Sequence, residues 1–236
     1  MRREGLVRTI PCILIFLTIA LSRALAQTPE TDISATADLK VESEKIDYKK
    51  LFRDDLMFLS VRAAGRMTQE KTWRELDGNF FNEWFDSAGA LFTDPRWDDG
   101  GKTFTNYVSH PMMGSVAANI LRLNDPVSRN AKFGANKQYF RAKRREFVFA
   151  AIDSVLFEIG PISESSLGNI KQGWGDIVIT PTLGIAWSVG EDGLRHYIID
   201  PLYPRHRLWS NTLAIFLNPT RSFANLMCFK KPWSRE

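Results

Sequence analysis

Cysteine is almost absent from this chain. Of the two in 236 residues, Cys12 lies inside the apolar run at the N-terminus and departs with it, so Cys228 is left alone and no intramolecular disulfide can form. Stability must come from packing, even in an oxidising compartment. Histidine is scarce as well, at three residues, and the phrases that mark common chemistries are missing. There is no G-x-S-x-G elbow, no H-E-x-x-H, no phosphate-binding glycine loop and no C-x-x-C pair. A transmembrane β-barrel needs repeated segments of about ten alternating residues, and none occurs. Each apolar run also falls short of the ~20 residues of a spanning helix. There are no internal repeats and no sign of a second domain.

The chain does begin with an export signature. Arg2, Arg3 and Arg8 form a basic start, Ile10 to Leu21 is apolar, and Ala24-Leu25-Ala26 is a small-x-small cleavage site, which together predict a signal peptide over residues 1–26. Cys12 sits within the apolar run and not just after it, so nothing suggests lipid attachment. The peptide holds four arginines and one glutamate, so its removal takes the net charge from +4 to +1. A nearly neutral mature chain removes the main support for a nucleic-acid reading, which needs a basic face on the mature fold. Residues 27–47 are polar and carry too little apolar surface to offset the entropy of ordering them, which predicts a flexible leader to the domain.

From Tyr48 to the C-terminus the texture is that of one helical domain, residues 48–236. Leu51, Phe52, Leu56, Leu59 and Ala63 recur at helical spacing, and Phe81, Trp84, Phe85, Ala88 and Phe92 do so more strictly. Turn formers at Asp94-Pro95 and Asp98-Asp99-Gly100-Gly101 precede a third helix over about Phe104 to Leu123. Asp98 and Asp99 lack the alternating oxygens of a calcium loop. Asn136 to Ile159 reads as the longest helix, basic in its first half and apolar on nearly every side in its second, which must be buried centrally or lie against lipid. Ile177 to Val189 reads as a helix kinked at Pro181. Leu208 to Leu217 follows, and Asn218-Pro219 restarts a last helix in cap and first-turn positions. The expected fold is an all-α, single-domain helical bundle with a Pro-kinked central helix.

Candidate chemistry resides in polar residues set into apolar surroundings. Asn106, His110 and Gly114 share one helical face, Ser154 and Glu158 another, and Asp176, Thr180 and Gly184 a third, with Glu191 further along. One reading makes these a structural seam, in which buried polar groups pair across helices and the glycines allow close approach. The other makes His110 a general base, with Glu158, Asp176 or Glu191 as orienter or acid. The spacing has no diagnostic metal pattern, so neither metal nor cofactor is assigned. His196 and His206 lie among arginines and read as surface residues.

The phrases TFTNYVSHPMMGS, FEIGPISESSLGNI, WGDIVITPTLGIAWSVGED and LNPTRSFANLM followed by PW occur in that order. They resemble a family of uncharacterised exported bacterial proteins with an N-Y-x-x-H-P-x-x-G segment, a Glu-rich segment and a D-x-x-x-T-P-x-x-G segment. The resemblance runs from about Trp97 to Arg235. It implies a helical envelope domain, of a family assigned to a domain of unknown function, and supplies no reaction. The matching positions are Asn106, His110, Pro111, Gly114, Glu158, Glu164, Asp176, Thr180, Pro181, Gly184, Glu191, Asn218, Arg221 and Asn225.

Arg141 to Arg145 precede an apolar run, and Trp174, Trp187, Trp209 and Trp233 lie near the ends of apolar segments, as interfacial anchors do. A soluble bundle accounts for the same facts, since Arg stems cover apolar surface and Trp is common in cores. The short runs favour a periplasmic or outer-membrane-associated bundle that rests against a membrane. Two functions follow from the sequence. One is a non-catalytic envelope domain that meets lipid or another envelope component; the other is an envelope hydrolase of lipid or glycan, with His110, Glu158 and Asp176 as its catalytic set.

Overall fold

Helix α3, His110–Asn124, has almost no exposed surface, and the rest of the fold is arranged around it. The computed structural model of the chain describes residues 45–68, 80–97, 103–168 and 173–234. The expected signal peptide, nearly all of the expected polar leader and the turn expected from Asp98 to Gly101 lie outside those residues. The other helices are α1 (Tyr48–Met67), α2 (Phe80–Thr93), α4 (Pro126–Arg129), α5 (Lys137–Ile159), α6 (Glu164–Gly168), α7 (Trp174–Leu194), α8 (Asp200–Leu202), α9 (Arg207–Leu217) and α10 (Pro219–Met227). Among the described residues there is no strand, and the all-α bundle is the fold.

Local chemistry sets the helix starts. Asp47 accepts from Lys50 N at 3.0 Å and Asn136 from Tyr139 N at 2.8 Å, each side chain satisfying a first-turn donor that has no helical partner. Two π-helical turns, Thr105–Ser109 and Arg195–Ile199, share a cause. Each is followed by proline one residue later, at Pro111 and Pro201. Proline has no N–H to return to the carbonyl four residues back, the bond that regular α-geometry would require. The preceding amide instead reaches five residues back, His110 N to Thr105 O and Asp200 N to Arg195 O, which is the π spacing.

α3 and α7 run parallel in close contact. The pairs His110 with Thr180 and Arg122 with Asp192 keep a constant offset of 70 residues. Between them the backbones touch: a Cβ on Gly114 would stand 2.1 Å from the Thr180 carbonyl oxygen, and one on Gly184 would stand 2.9 Å from the Gly114 Cα. Only glycine allows this approach. α5 runs antiparallel to both, with Glu146 beside Arg122 and Glu158 beside His110.

The sequence leads one to expect the second half of α5 to be buried centrally or to lie against lipid. It is buried on one side instead, through Phe149, Ala150, Asp153, Ser154, Phe157 and Glu158, while Phe147 is exposed. The helix fully enclosed is α3, whose small residues Ala117 and Ala118 let neighbours pack on every face. The basic first half of α5 is also not a uniform collar. Lys143 is buried and Arg145 pairs with Asp125 at 2.9 Å, so two of its charges serve the interior. α7 continues through Pro181, where the missing N–H weakens the ladder locally.

Candidate functional site

Most of the polar residues singled out in the sequence fall into two groups, one toward each end of the α3–α7 pair. At the first end, His110 Nδ1 lies 3.6 Å from Glu158 Oε1 and 3.3 Å from Thr180 Oγ1. Ser154, one turn before Glu158, donates to the Asp176 carbonyl oxygen at 3.4 Å, and Asp176 lies one turn before Thr180. Asn106 is buried on the π-helical turn that leads into His110. All of this is enclosed: His110 is 6 % exposed, Glu158 0 % and Asp176 3 %. The two surface cavities described below are lined by none of these three residues.

At the second end Arg122 enters a set of charges that sequence inspection missed. Its Nε and Nη2 donate to Glu146 at 2.8 and 3.2 Å, and Nη1 and Nη2 donate to Asp192 at 2.5 and 2.8 Å. Lys143 Nζ bonds Glu146 at 2.9 Å, Ser188 Oγ at 2.7 Å and Asp192 at 2.8 Å. Tyr139 donates its hydroxyl to Asp192 at 2.9 Å. Burial opposes charge on Asp192, but Arg122 and Lys143 outweigh it and hold the carboxyl well below the ordinary range. Burial likewise opposes the Arg122 cation, and Glu146 and Asp192 overcome it. The members come from three helices, Arg122 from α3, Tyr139, Lys143 and Glu146 from α5 and Asp192 from α7, so no local pattern marks the set as a whole. The one signal was Arg122 itself, a lone cation in the apolar stretch from Val116 to Leu123.

Glu191 performs a different task beside this network. Its carboxylate accepts from Thr220 N at 3.0 Å, Thr220 Oγ1 at 2.8 Å and Arg221 N at 3.2 Å, and from Trp187 Nε1 at 3.0 Å. It therefore caps α10 in trans, where backbone donors and the helix dipole favour an anion. Burial raises its pKa and these hydrogen bonds draw it partly back. Asn218 holds the cap position by sequence, but its side chain donates to the Glu191 backbone oxygen at 3.1 Å and makes no capping bond. Ser115 and Thr220 hydroxyls meet at 2.7 Å, fastening α10 to α3.

The remaining sequence-named residues stand apart. Glu164 pairs with Arg66 at 3.0 Å, and Asn225 donates to the Pro232 and Ser234 carbonyls at 2.9 and 3.1 Å, tying down the C-terminal segment. A further buried pair, Arg62 with Asp153 at 2.8 Å, joins α1 to α5, the guanidinium lying 3.4 Å from the Phe157 ring centroid. Burial and the neighbouring Asp153 push the Asp55 carboxyl well up. Among the described residues no group of three metal-ligating side chains converges.

Comparison of the chain with protein-family models, with curated proteins and with solved structures finds no match. The motif resemblance therefore rests on the quoted residues alone, and function must be argued from the geometry.

Proposed function

We propose that this protein is an exported, non-catalytic helical domain of the bacterial envelope that rests on an anionic membrane surface through α9. One observation carries the reading: α9 leaves a broad apolar face uncovered. On its inner side Ser210 is fully buried and donates to the Ile199 oxygen at 2.8 Å, Ala214 O accepts from Ser222 at 3.2 Å, and Leu213 and Leu217 are half-buried. Its apolar side faces out, with Leu208 78 %, Trp209 66 % and Phe216 75 % exposed and Ile215 beside them. Leu208, Trp209, Thr212, Ile215 and Phe216 share one helical face. A contiguous apolar face of this kind marks an interaction surface.

The charge around it favours lipid as the occupant. Arg207 opens α9 and, with Lys230, Lys231, Tyr203 and Trp233, lines a cavity of about 480 Å³ that has no carboxylate among its lining residues. Aromatic and aliphatic anchors beside basic residues suit a helix lying in the plane of an anionic bilayer. Eleven residues span only about 16 Å as a helix, and no helix of the described residues is long and apolar enough to cross a membrane. The enclosed His110 and Glu158 support a structural role for the polar seam, since a hydrolase would have to bring substrate to them. The signal-peptide pattern supports export.

Vesicle sedimentation tests this reading. The chain beginning at Gln27 is expected to pellet with phosphatidylglycerol-containing vesicles and less with neutral ones. A Leu208→Ser, Trp209→Ser, Phe216→Ser variant is expected to lose at least a hundredfold in partitioning, because each such side chain contributes about 1.5–3 kcal/mol when fully buried. Equal pelleting of the variant, no pelleting of the parent, or a dimer closed through this face in sedimentation velocity would each overturn it. For export, the mass of the native protein should correspond to a Gln27 start; an intact Met1 start in the cytoplasm would refute that part.

A further inference from the structure

The second end of the α3–α7 pair opens to solvent through a cavity of about 360 Å³. Its walls carry five cations, Arg122, Arg129, Lys132, Arg195 and Arg221. Two carboxylates face them, and both are already engaged. Asp192 is held by Arg122, Lys143 and Tyr139, and Asp200 meets Arg195 at 3.6 Å.

Arg221 is the member whose hydrogen-bonding capacity is unspent. Its Nε is buried with no hydrogen-bond partner among the described residues, and its ion pair with them, Nη1 to Asp192 Oδ1, is long at 3.9 Å. The residue is nonetheless fixed in place, because its backbone N–H donates to Glu191 in the first turn of α10. Burial, with Arg195 and Arg122 close by, pushes its pKa down to about 9. A guanidinium crowded by like charges, with donors to spare, is in the state that a bound anion relieves. Arg129 and Lys132 are exposed at the mouth, where they extend the positive field outward. Phe133, whose ring meets Tyr139 at 5.5 Å and His196 at 5.5 Å between centroids, supplies an aromatic wall.

We propose that this cavity binds a phosphate-bearing anion, with Arg221 as its principal ligand and Arg195 and Lys132 as supporting charges. Phosphate fits better than a single carboxylate for two reasons. The cationic surplus on the walls suits a dianion, and a guanidinium fork pairs with phosphate oxygens two at a time. The volume lies at the lower end of the range for small-molecule pockets, about 300–1,000 Å³, which leaves room for a phosphomonoester or pyrophosphate with a small organic part against Phe133. That phosphate can belong to a soluble compound or to a lipid headgroup. The site is separate from α9 and does not depend on the membrane reading.

Isothermal titration of the folded mature chain with sodium pyrophosphate and with inorganic phosphate, at fixed ionic strength and low chloride, tests the proposal. Saturable one-to-one binding is expected, with a rise in the thermal midpoint. Arg221→Gln should weaken binding roughly tenfold or more, the scale of a lost charged hydrogen bond. It should leave the midpoint of the ligand-free protein unchanged or higher, because it removes a crowded charge; a purely structural arginine would lower it. Lys132→Glu, at the exposed mouth, should also weaken binding and bears no load in the core. Competition then identifies the source. Displacement of pyrophosphate by phosphatidic-acid vesicles indicates a lipid headgroup, and no displacement indicates a soluble ligand; both support the phosphate site. Absence of saturable binding at millimolar concentration, or unchanged affinity in both variants, would overturn it.

Discussion

The two ends of the α3–α7 pair are built from the same three helices and do opposite things with their polar residues. At the His110 end a histidine, a glutamate and hydroxyls are closed off between backbones that touch at Gly114 and Gly184. At the Arg122 end, eight residues further along each helix than Gly114 and Gly184, charged side chains bridge the helices, and some of them line a cavity. Glycines bring the backbones into contact at one end, and long charged side chains span between the helices at the other. Motif positions mark both ends, His110, Glu158 and Thr180 at the first and Glu191, Asn218 and Arg221 at the second, and Arg221 at the second lines the cavity.

The comparison can be broken most sharply at Arg122. Arg122→Met would leave Glu146 and Asp192 buried with Lys143 as their shared cation, and a loss of about 3–5 kcal/mol is expected from urea denaturation. Next is the spacer itself. Gly114→Ala places a methyl 2.1 Å from the Thr180 carbonyl oxygen, a backbone atom that cannot move independently, so a loss of about 3 kcal/mol is expected, the upper part of the range for overpacking. His110→Phe comes third, at about 1–3 kcal/mol, because it removes a polar partner from the fully buried Glu158 and adds no cavity. If His110→Phe cost more than Arg122→Met, the sealed end would be the stronger electrostatic anchor and the contrast would reverse.

The pH dependence sharpens the same contrast. The folded Asp192 pKa lies below its unfolded value, so its contribution is complete above the unfolded pKa near 3.9 and is lost as pH falls from there through the folded value. Asp55 and Asp153 have the opposite sign. Their folded pKa values are raised, mainly by burial, so the fold takes up protons that the unfolded chain releases, and stability grows as pH falls from neutral. Stability against pH should therefore show a rise on mild acidification that Asp55→Asn flattens, and an acid limb below about pH 4 that Asp192→Asn flattens. The smallest effect belongs to α9. Replacing Leu208, Trp209 and Phe216 with serine should change folding stability by no more than about 0.5 kcal/mol each, as for exposed sites generally, while vesicle binding falls. A large loss of stability would mean that the face is internal packing.

Helix positions were legible in the sequence because the signals are local. Apolar spacing in the stretch from Leu51 to Ala63 and again from Phe81 to Phe92, and cap and proline positions at Asn218-Pro219, each act within one or two turns. The close approach at Gly114 and Gly184 was legible for the same reason, as small residues on faces that also carry polar groups. Capping of α10 was not. Asn218 occupies the expected position, yet Glu191 from another helix supplies the acceptor, a contact between residues 29 apart in sequence.

By itself, the sequence determined an all-α chain from Tyr48 onward and an interior polar seam, since periodicity and residue type need no partner to be read. Only the tertiary structure decided that α3 is the enclosed helix, that Arg122, Glu146 and Asp192 meet, and that α9 faces outward with its apolar side. Each of those depends on how helices distant in sequence are oriented against one another. A lone charge in an apolar helix announces that a partner must exist, because an unpaired buried charge is too costly, but where that partner lies is set by packing across the whole bundle.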